Sequence, residues 1–256
     1  MQPLGPNPKN TWRVSPSAAD LTRPAIPSRP LSVPAKPKPV TLDLSRTAFI
    51  IIDMQRDFCH PEGWLAGIGV DVSAAAALVP TVGAAADAFR AAGVPVLWVN
   101  WGNRDDRANI SPALRHVYDN AGEGTGLGDP IGPHGARVLT EGSWSAALMD
   151  GLTPAPGDIH VSKYRMSGFY DTPLDAILRN LRVDHLIFAG VNSDQCVLHT
   201  LADANFLGFD TLLLEDATGT TSPDFCHEAT LYNVRQIFGF TLTFADLQPA
   251  LESTRV

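Results

Sequence analysis

The sequence predicts an α/β fold: a three-layer sandwich in which helices cover both faces of a six-stranded parallel sheet. Three observations carry this. Short apolar runs alternate with alanine-rich or 3.6-periodic segments from residue 47 onward. Runs such as Phe49-Ile50-Ile51-Ile52 and Leu186-Ile187-Phe188-Ala189 are apolar throughout rather than alternating, the mark of strands buried on both faces. A chain of 256 residues is also long enough for one such domain with a full core.

In chain order, strands are expected at 48–53, 95–100, 158–162, 185–191, 211–215 and 241–244. Helices are expected at 73–92, 173–181, 194–207 and 223–237. The stretch 102–142 is rich in Gly, Asp, Pro and Asn and is expected as a long loop. A loop of that length inside a compact domain is usually functional, so it is read as the rim or lid of a site. Ten of the 21 prolines fall in residues 1–40, which are therefore expected to form an extended N-terminal arm, with Trp12 and Leu31 as candidate anchors. Residues 41–256 make up the domain.

Composition excludes several classes. Residues 1–40 carry six Lys or Arg against Asp20, a net of +5, which leaves −13 on residues 41–256. An acidic body argues against nucleic-acid binding. No apolar stretch approaches the roughly 20 residues of a membrane span, and no secretory leader is seen, so a cytoplasmic setting is expected. Three cysteines, Cys59, Cys196 and Cys226, do not suggest a disulfide framework.

The chemistry lies at strand ends. Asp53 ends the first strand, Lys163 ends Ile159-His160-Val161-Ser162-Lys163, and Cys196 follows the turn Gly190-Val191-Asn192-Ser193-Asp194-Gln195. Singly, each has an ordinary reading as a turn residue, a strand-end cation or a small buried hydrophobe. Together, on one edge of a parallel sheet, they supply a base, a charge stabiliser and a nucleophile. A cysteine in the first turn of a helix is expected to have its pKa lowered by the helix dipole.

The run Phe49-Ile50-Ile51-Ile52-Asp53-Met54-Gln55-Arg56-Asp57-Phe58, then Lys163, then Gly190 to Cys196, resembles the isochorismatase-like cysteine hydrolase superfamily from about residue 46 to 252. The resemblance implies a Rossmann-like sheet, an Asp53-Lys163-Cys196 triad and a homo-oligomer, a dimer or tetramer. It also implies a cis peptide between Val191 and Asn192 and an oxyanion hole made by the N–H groups of Asn192 and Cys196. Metal-binding relatives use an Asp-x-His pair; the matching region here reads Val99-Asn100-Trp101-Gly102-Asn103-Arg104, so neither metal nor other cofactor is expected. Isochorismatases proper generally lack the cysteine, which puts this chain on the amidohydrolase side.

The likeness within that side is to hydrolases of linear ureides: biuret, triuret and ureidoacrylate. It implies a small ureide or amide substrate, ammonia release through a thioester, and a substrate contact from Gln236, which is equally an exposed helix residue. Phe58, Trp101, Asn103, Arg107 and Tyr164 are further candidates for the pocket wall. N-carbamoylsarcosine or nicotinamide amidases remain alternatives. A haloacid-dehalogenase-type phosphatase would use Asp53, Lys163 and Asp216, but wants Asp-x-Asp where this chain has Gln55 as the third residue. Asp216 is otherwise read as a structural cap.

Overall fold

The computed structural model describes residues 1–117, 119, 121–131 and 135–254. Residues 118, 120 and 132–134 of the expected lid lie outside this set. Five short strands come first. β1 (Gln2–Leu4), β2 (Trp12–Ser15) and β3 (Ala18–Asp20) form a small antiparallel sheet, and β4 (Pro30–Val33) pairs antiparallel with β5 (Val40–Asp43). The central sheet contains β6 (Thr47–Ile52), β7 (Val96–Trp101), β8 (Ile159–Lys163), β9 (His185–Gly190), β10 (Asp210–Thr218) and β11 (Gly239–Leu242). All its pairings are parallel, in the order β11-β10-β9-β6-β7-β8.

That order reverses direction between β6 and β9, the topological switch point of a doubly wound sheet. Asp53 and Cys196 follow those two strands. Every residue of β6 is buried, which is why its sequence shows no polar alternation. Burying each of Phe49, Ile50, Ile51 and Ile52 contributes about 1.5–3 kcal/mol relative to exposure.

The helices are α1 (Arg56–Cys59), α2 (Trp64–Gly67), α3 (Ser73–Ala76), α4 (Val79–Ala91), α5 (Pro112–Arg115), α6 (Leu174–Leu181), α7 (Leu198–Phe206), α8 (Asp224–Asn233) and α9 (Phe244–Glu252). The helix expected over 73–92 is broken in two. Pro80 lacks an N–H and sits in the first turn of the restarted helix, where that donor is not needed. The last strand lies two residues earlier than expected, and its end is set by Phe244, which already belongs to α9.

The arm is more structured than its prolines suggested. Leu31 and Val33 are buried in the main core, and β4 pairs with β5 across position 40, so the expected boundary interrupts a hairpin. Trp12, the other proposed anchor, is exposed and stacks with Arg23. Lys36 and Thr241 exchange N–H to carbonyl hydrogen bonds of 2.8 and 3.0 Å, laying the arm along the outer edge of β11. Among the described residues no helix is long and apolar enough to cross a membrane, and the three cysteines are unbridged.

Candidate active site

Asp53 leaves β6 in a left-handed conformation, φ 49°. An L-residue there costs roughly 1–2 kcal/mol, and Asp is among the few that adopt it readily. The turn closes with Gln55 N–H donating to the Asp53 carbonyl at 2.7 Å. It swings the carboxylate off the strand line toward the end of β8. There Lys163 Nζ lies 2.7 Å from Asp53 Oδ2, and both side chains are essentially inaccessible to solvent.

Cys196 arrives by a different route. Gly190 has φ 110°, and a Cβ on it would meet the Ile52 carbonyl oxygen at 2.0 Å. Only glycine lets the end of β9 lie flat against β6 at this point. The Val191–Asn192 peptide is cis. The chain then forms a π-type turn, Ser193–Val197, before α7, with Val197 N–H reaching back to the Asn192 carbonyl at 3.2 Å. The loop after β10 fastens the turn: Ser193 N–H donates to Gly219 O at 2.8 Å, and Thr221 N–H to Asn192 Oδ1 at 3.1 Å. The N–H of Asn192 has no carbonyl partner among the described residues.

Lys163 joins the two groups. Its ammonium donates to Cys196 Sγ at 3.3 Å and to the Arg165 carbonyl at 3.2 Å, and lies 4.3 Å from the centre of the Trp101 ring. Burial raises the Asp53 pKa, against the opposing pull of Lys163. Burial also works against the Lys163 charge, but Asp53 and the thiol outweigh it and hold the lysine protonated. For Cys196 burial dominates and pushes the thiol up, despite the nearby ammonium. This corrects the expectation of a thiol acidified by a helix dipole. The group is enclosed, and in a dry site desolvation of the anion exceeds the gain from partial charges in one turn. Burial thus disfavours the thiolate at Cys196 and makes the neighbouring Asp53 carboxylate more basic.

The remaining polar residues of the first motif build the surroundings. Gln55 accepts from Trp101 N–H at 2.8 Å and donates to Trp101 O at 2.8 Å, fixing the end of β7. Asp57, buried, accepts from Leu139 N–H at 2.6 Å and Trp64 N–H at 3.1 Å, pinning the long loop to α2.

Above Cys196 lies a cavity of about 20 Å³. Phe58, Trp64 and Trp101 form its aromatic wall, and Leu114, Val117, Leu127 and Leu139 of the 102–142 loop form its roof. Met166 and Gln195 complete the lining. The loop thus covers the thiol, held by Arg115 and Arg107, which both bind Asp129.

Of the sequence candidates, Phe58 and Trp101 border the cavity. Asn103 does not: fully buried behind Trp101, it accepts from the indole N–H at 2.8 Å and orients the ring. Arg107 is tied to Asp129 at 3.0 Å, and the Tyr164 hydroxyl donates to Asp171; neither lines the cavity. Gln236 lies just before β11, at the amino edge of the sheet, whereas Asp53, Lys163 and Cys196 sit at the carboxyl edge. Its candidacy rested on sequence position alone, and the parallel topology puts it at the wrong end. Asp216 caps α9, accepting from Phe244 N–H at 2.6 Å, so it is not the further acid beside Asp53 and Lys163 that a phosphatase would need. Sequence reading missed Gln195, adjacent to Cys196 in the same motif, and the roof residues, whose only signal was apolar side chains inside a polar loop.

A family model described as the isochorismatase domain matches residues 47–246. The chain is 37% identical over 229 residues to the ureidoacrylate amidohydrolase RutB of Methylobacterium radiotolerans, covering 86% of this chain and 84% of that protein. It is 35% identical over 221 residues to the ureidoacrylate amidohydrolase RutB of Enterobacter sp., covering 86% and 95%. Among solved structures, a cysteine hydrolase from Pseudomonas syringae pv. phaseolicola superposes with a TM-score of 0.70 at 26% identity, covering 83% of this chain and 95% of that one.

Proposed function

The chain belongs to the isochorismatase-like cysteine hydrolase family, and on that premise we propose that it hydrolyses a small ureido compound through Cys196. It is a hydrolase of carbon–nitrogen bonds in linear amides. The observation that carries the finer reading is Lys163 Nζ, 2.7 Å from the Asp53 carboxylate and 3.3 Å from the Cys196 thiol beneath the cavity.

Cys196 Sγ attacks the ureido carbonyl carbon as its proton passes to Asp53. The carbonyl oxygen takes up the negative charge and is held by the N–H groups of Asn192 and Cys196; one such donor is typically worth about 10²–10³ in rate. The C–N bond then breaks as Asp53 returns the proton to the leaving nitrogen, leaving Cys196 as an S-carbamoyl thioester that keeps the other nitrogen. Water, deprotonated by Asp53, cleaves that thioester to a carbamate, and the proton on Asp53 restores the thiol. Lys163 stays protonated throughout and offsets the charge that moves between carboxylate and sulfur.

Ureidoacrylate heads the substrate candidates because both relatives carry that activity in their names. With Gln236 placed away from the triad, the particular case for biuret and triuret is weaker. Ammonia release from ureidoacrylate, biuret, triuret, N-carbamoylsarcosine and nicotinamide, measured side by side, tests the reading. One ureide should exceed the simple amide, and Cys196→Ala should abolish turnover in a folded protein. Turnover in Cys196→Ala at the wild-type rate refutes the mechanism.

A further inference from the structure

We propose that His227 is a positioning residue: its neutral ring accepts the Ser193 hydroxyl proton at Nδ1 and so holds the turn that presents Asn192 N–H and Cys196. The assignment rests on the reading above, in which that turn carries the nucleophile and binds the developing oxyanion. His227 lies on α8, and its Nδ1 is 3.0 Å from Ser193 Oγ. Ser193 is fully buried, and the imidazole is the one partner of its hydroxyl among the described residues. Either the hydroxyl donates to Nδ1, or Nδ1–H donates to the hydroxyl oxygen. The second arrangement leaves the Ser193 proton shut away from water with nothing to accept it, a loss of roughly five- to a hundredfold in an equilibrium. The first leaves a proton on Nε2 instead, an atom that has no protein partner among the described residues and is not buried. Burial therefore chooses the tautomer.

Burial also disfavours the imidazolium and lowers the His227 pKa. Glu215 of β10, Asp194 of the turn and Asp224 of α8 pull the other way, and Arg235 reinforces burial. Glu215 is itself bound by Arg235 at 2.7 Å, and Asp194 accepts from the Thr220 hydroxyl. The turn is held from two directions. Ser193 N–H donates to Gly219 O at 2.8 Å and Thr221 N–H to Asn192 Oδ1 at 3.1 Å, so the loop after β10 fixes one side. The Ser193 hydroxyl is where α8 takes hold of the other. With no acceptor there, the Ser193 side chain has to seek another partner, and the displacement passes to Asn192 beside it and to Cys196 three residues on. A donor moved away from the oxyanion acts on the transition state, so the effect falls on kcat rather than KM.

The test uses whichever of the compounds above the wild type cleaves fastest, with ammonia release as the readout. His227→Leu removes the acceptor and should lower kcat at least about fivefold, with KM within about twofold of wild type. His227→Asn puts an amide oxygen near the place of Nδ1 and should restore kcat to within about twofold of wild type. Nitrogen NMR of the folded wild type, with the His227 signals assigned from their absence in His227→Asn, should show a neutral ring protonated on Nε2 at neutral pH. A wild-type kcat in His227→Leu overturns the assignment. So does a loss confined to KM, a His227→Asn protein no faster than His227→Leu, or a ring protonated on Nδ1. Turnover in Cys196→Ala at the wild-type rate overturns the thiol reading instead. The nitrogen spectrum needs no active variant, so it decides the His227 tautomer in that case too, and also where His227→Leu does not fold.

Discussion

Replacing Lys163 with Met takes one charge from a pair that is closed to water on every side. At 2.7 Å and an effective dielectric constant near 20, the attraction between Lys163 and Asp53 is about 6 kcal/mol before desolvation is charged against it. Removing one partner of such a pair typically costs 3–5 kcal/mol, because the other charge is stranded. Asp53 has an escape, since burial already raises its pKa and a proton neutralises it. The expected loss therefore sits near the lower end, about 3 kcal/mol at pH 8. The sign with pH follows from the same shift. A carboxyl whose folded pKa lies above its unfolded value binds more protons in the native state, so stability falls as pH rises through that window. The deficit of Lys163→Met should shrink at pH 5. Asp53→Leu strands the lysine instead and should recover as pH rises. The double variant Asp53→Leu/Lys163→Met, with neither charge, should be close to wild type in stability and inactive. Urea unfolding of the four proteins at pH 5 and pH 8 reads all of this. A Lys163→Met protein within 1 kcal/mol of wild type at pH 8, or a deficit that does not change with pH, refutes the reasoning.

Gly190→Ala forces a Cβ to within 2.0 Å of the Ile52 carbonyl at φ 110°. It should destabilise by more than about 3 kcal/mol in the same unfolding assay. Asp57→Asn can accept only one of the two N–H groups that Asp57 holds, from Leu139 and Trp64, and turns an NH₂ toward the other. It should cost about 1–3 kcal/mol, with faster proteolysis of the 102–142 loop and a raised KM on whichever ureide the wild type prefers.

Much of the fold was legible because the central strands are buried on both faces, so their sequences are continuous apolar runs. The meeting of Asp53, Lys163 and Cys196 was legible because parallel strands put their carboxyl ends on one edge, so three strand-end residues converge without any knowledge of loops. Position did not give environment. Cys196 follows a strand and enters a helix, as read, but its enclosure reverses the expected direction of its pKa. Gln236 failed for a related reason: being near a strand in sequence does not say which end of the sheet is near. α9 had a readable signal, Thr243 capping the Asp246 N–H and Phe244, Leu247 and Leu251 at helical spacing, but Pro249 inside it spoiled the pattern. The hairpin at 30–43 was hidden by the prolines on which the arm was inferred. Leu31 and Val33 occupy alternate, inward positions between them.

The bridge between Lys36 and Thr241 has a consequence for the outer edge of the sheet. β11 is the last strand of the sheet, and its outer row of backbone groups is a template on which a strand from another chain can pair. Lys36 occupies that row with its own N–H and carbonyl, and its ammonium lies 3.8 Å from Glu215, putting charge at the rim. Neither a flat run of free donors and acceptors nor an uncharged border is left at this point. The proline-rich segment thus acts as a hem on this side of the sheet, while the carboxyl ends of its strands hold Asp53, Lys163 and Cys196.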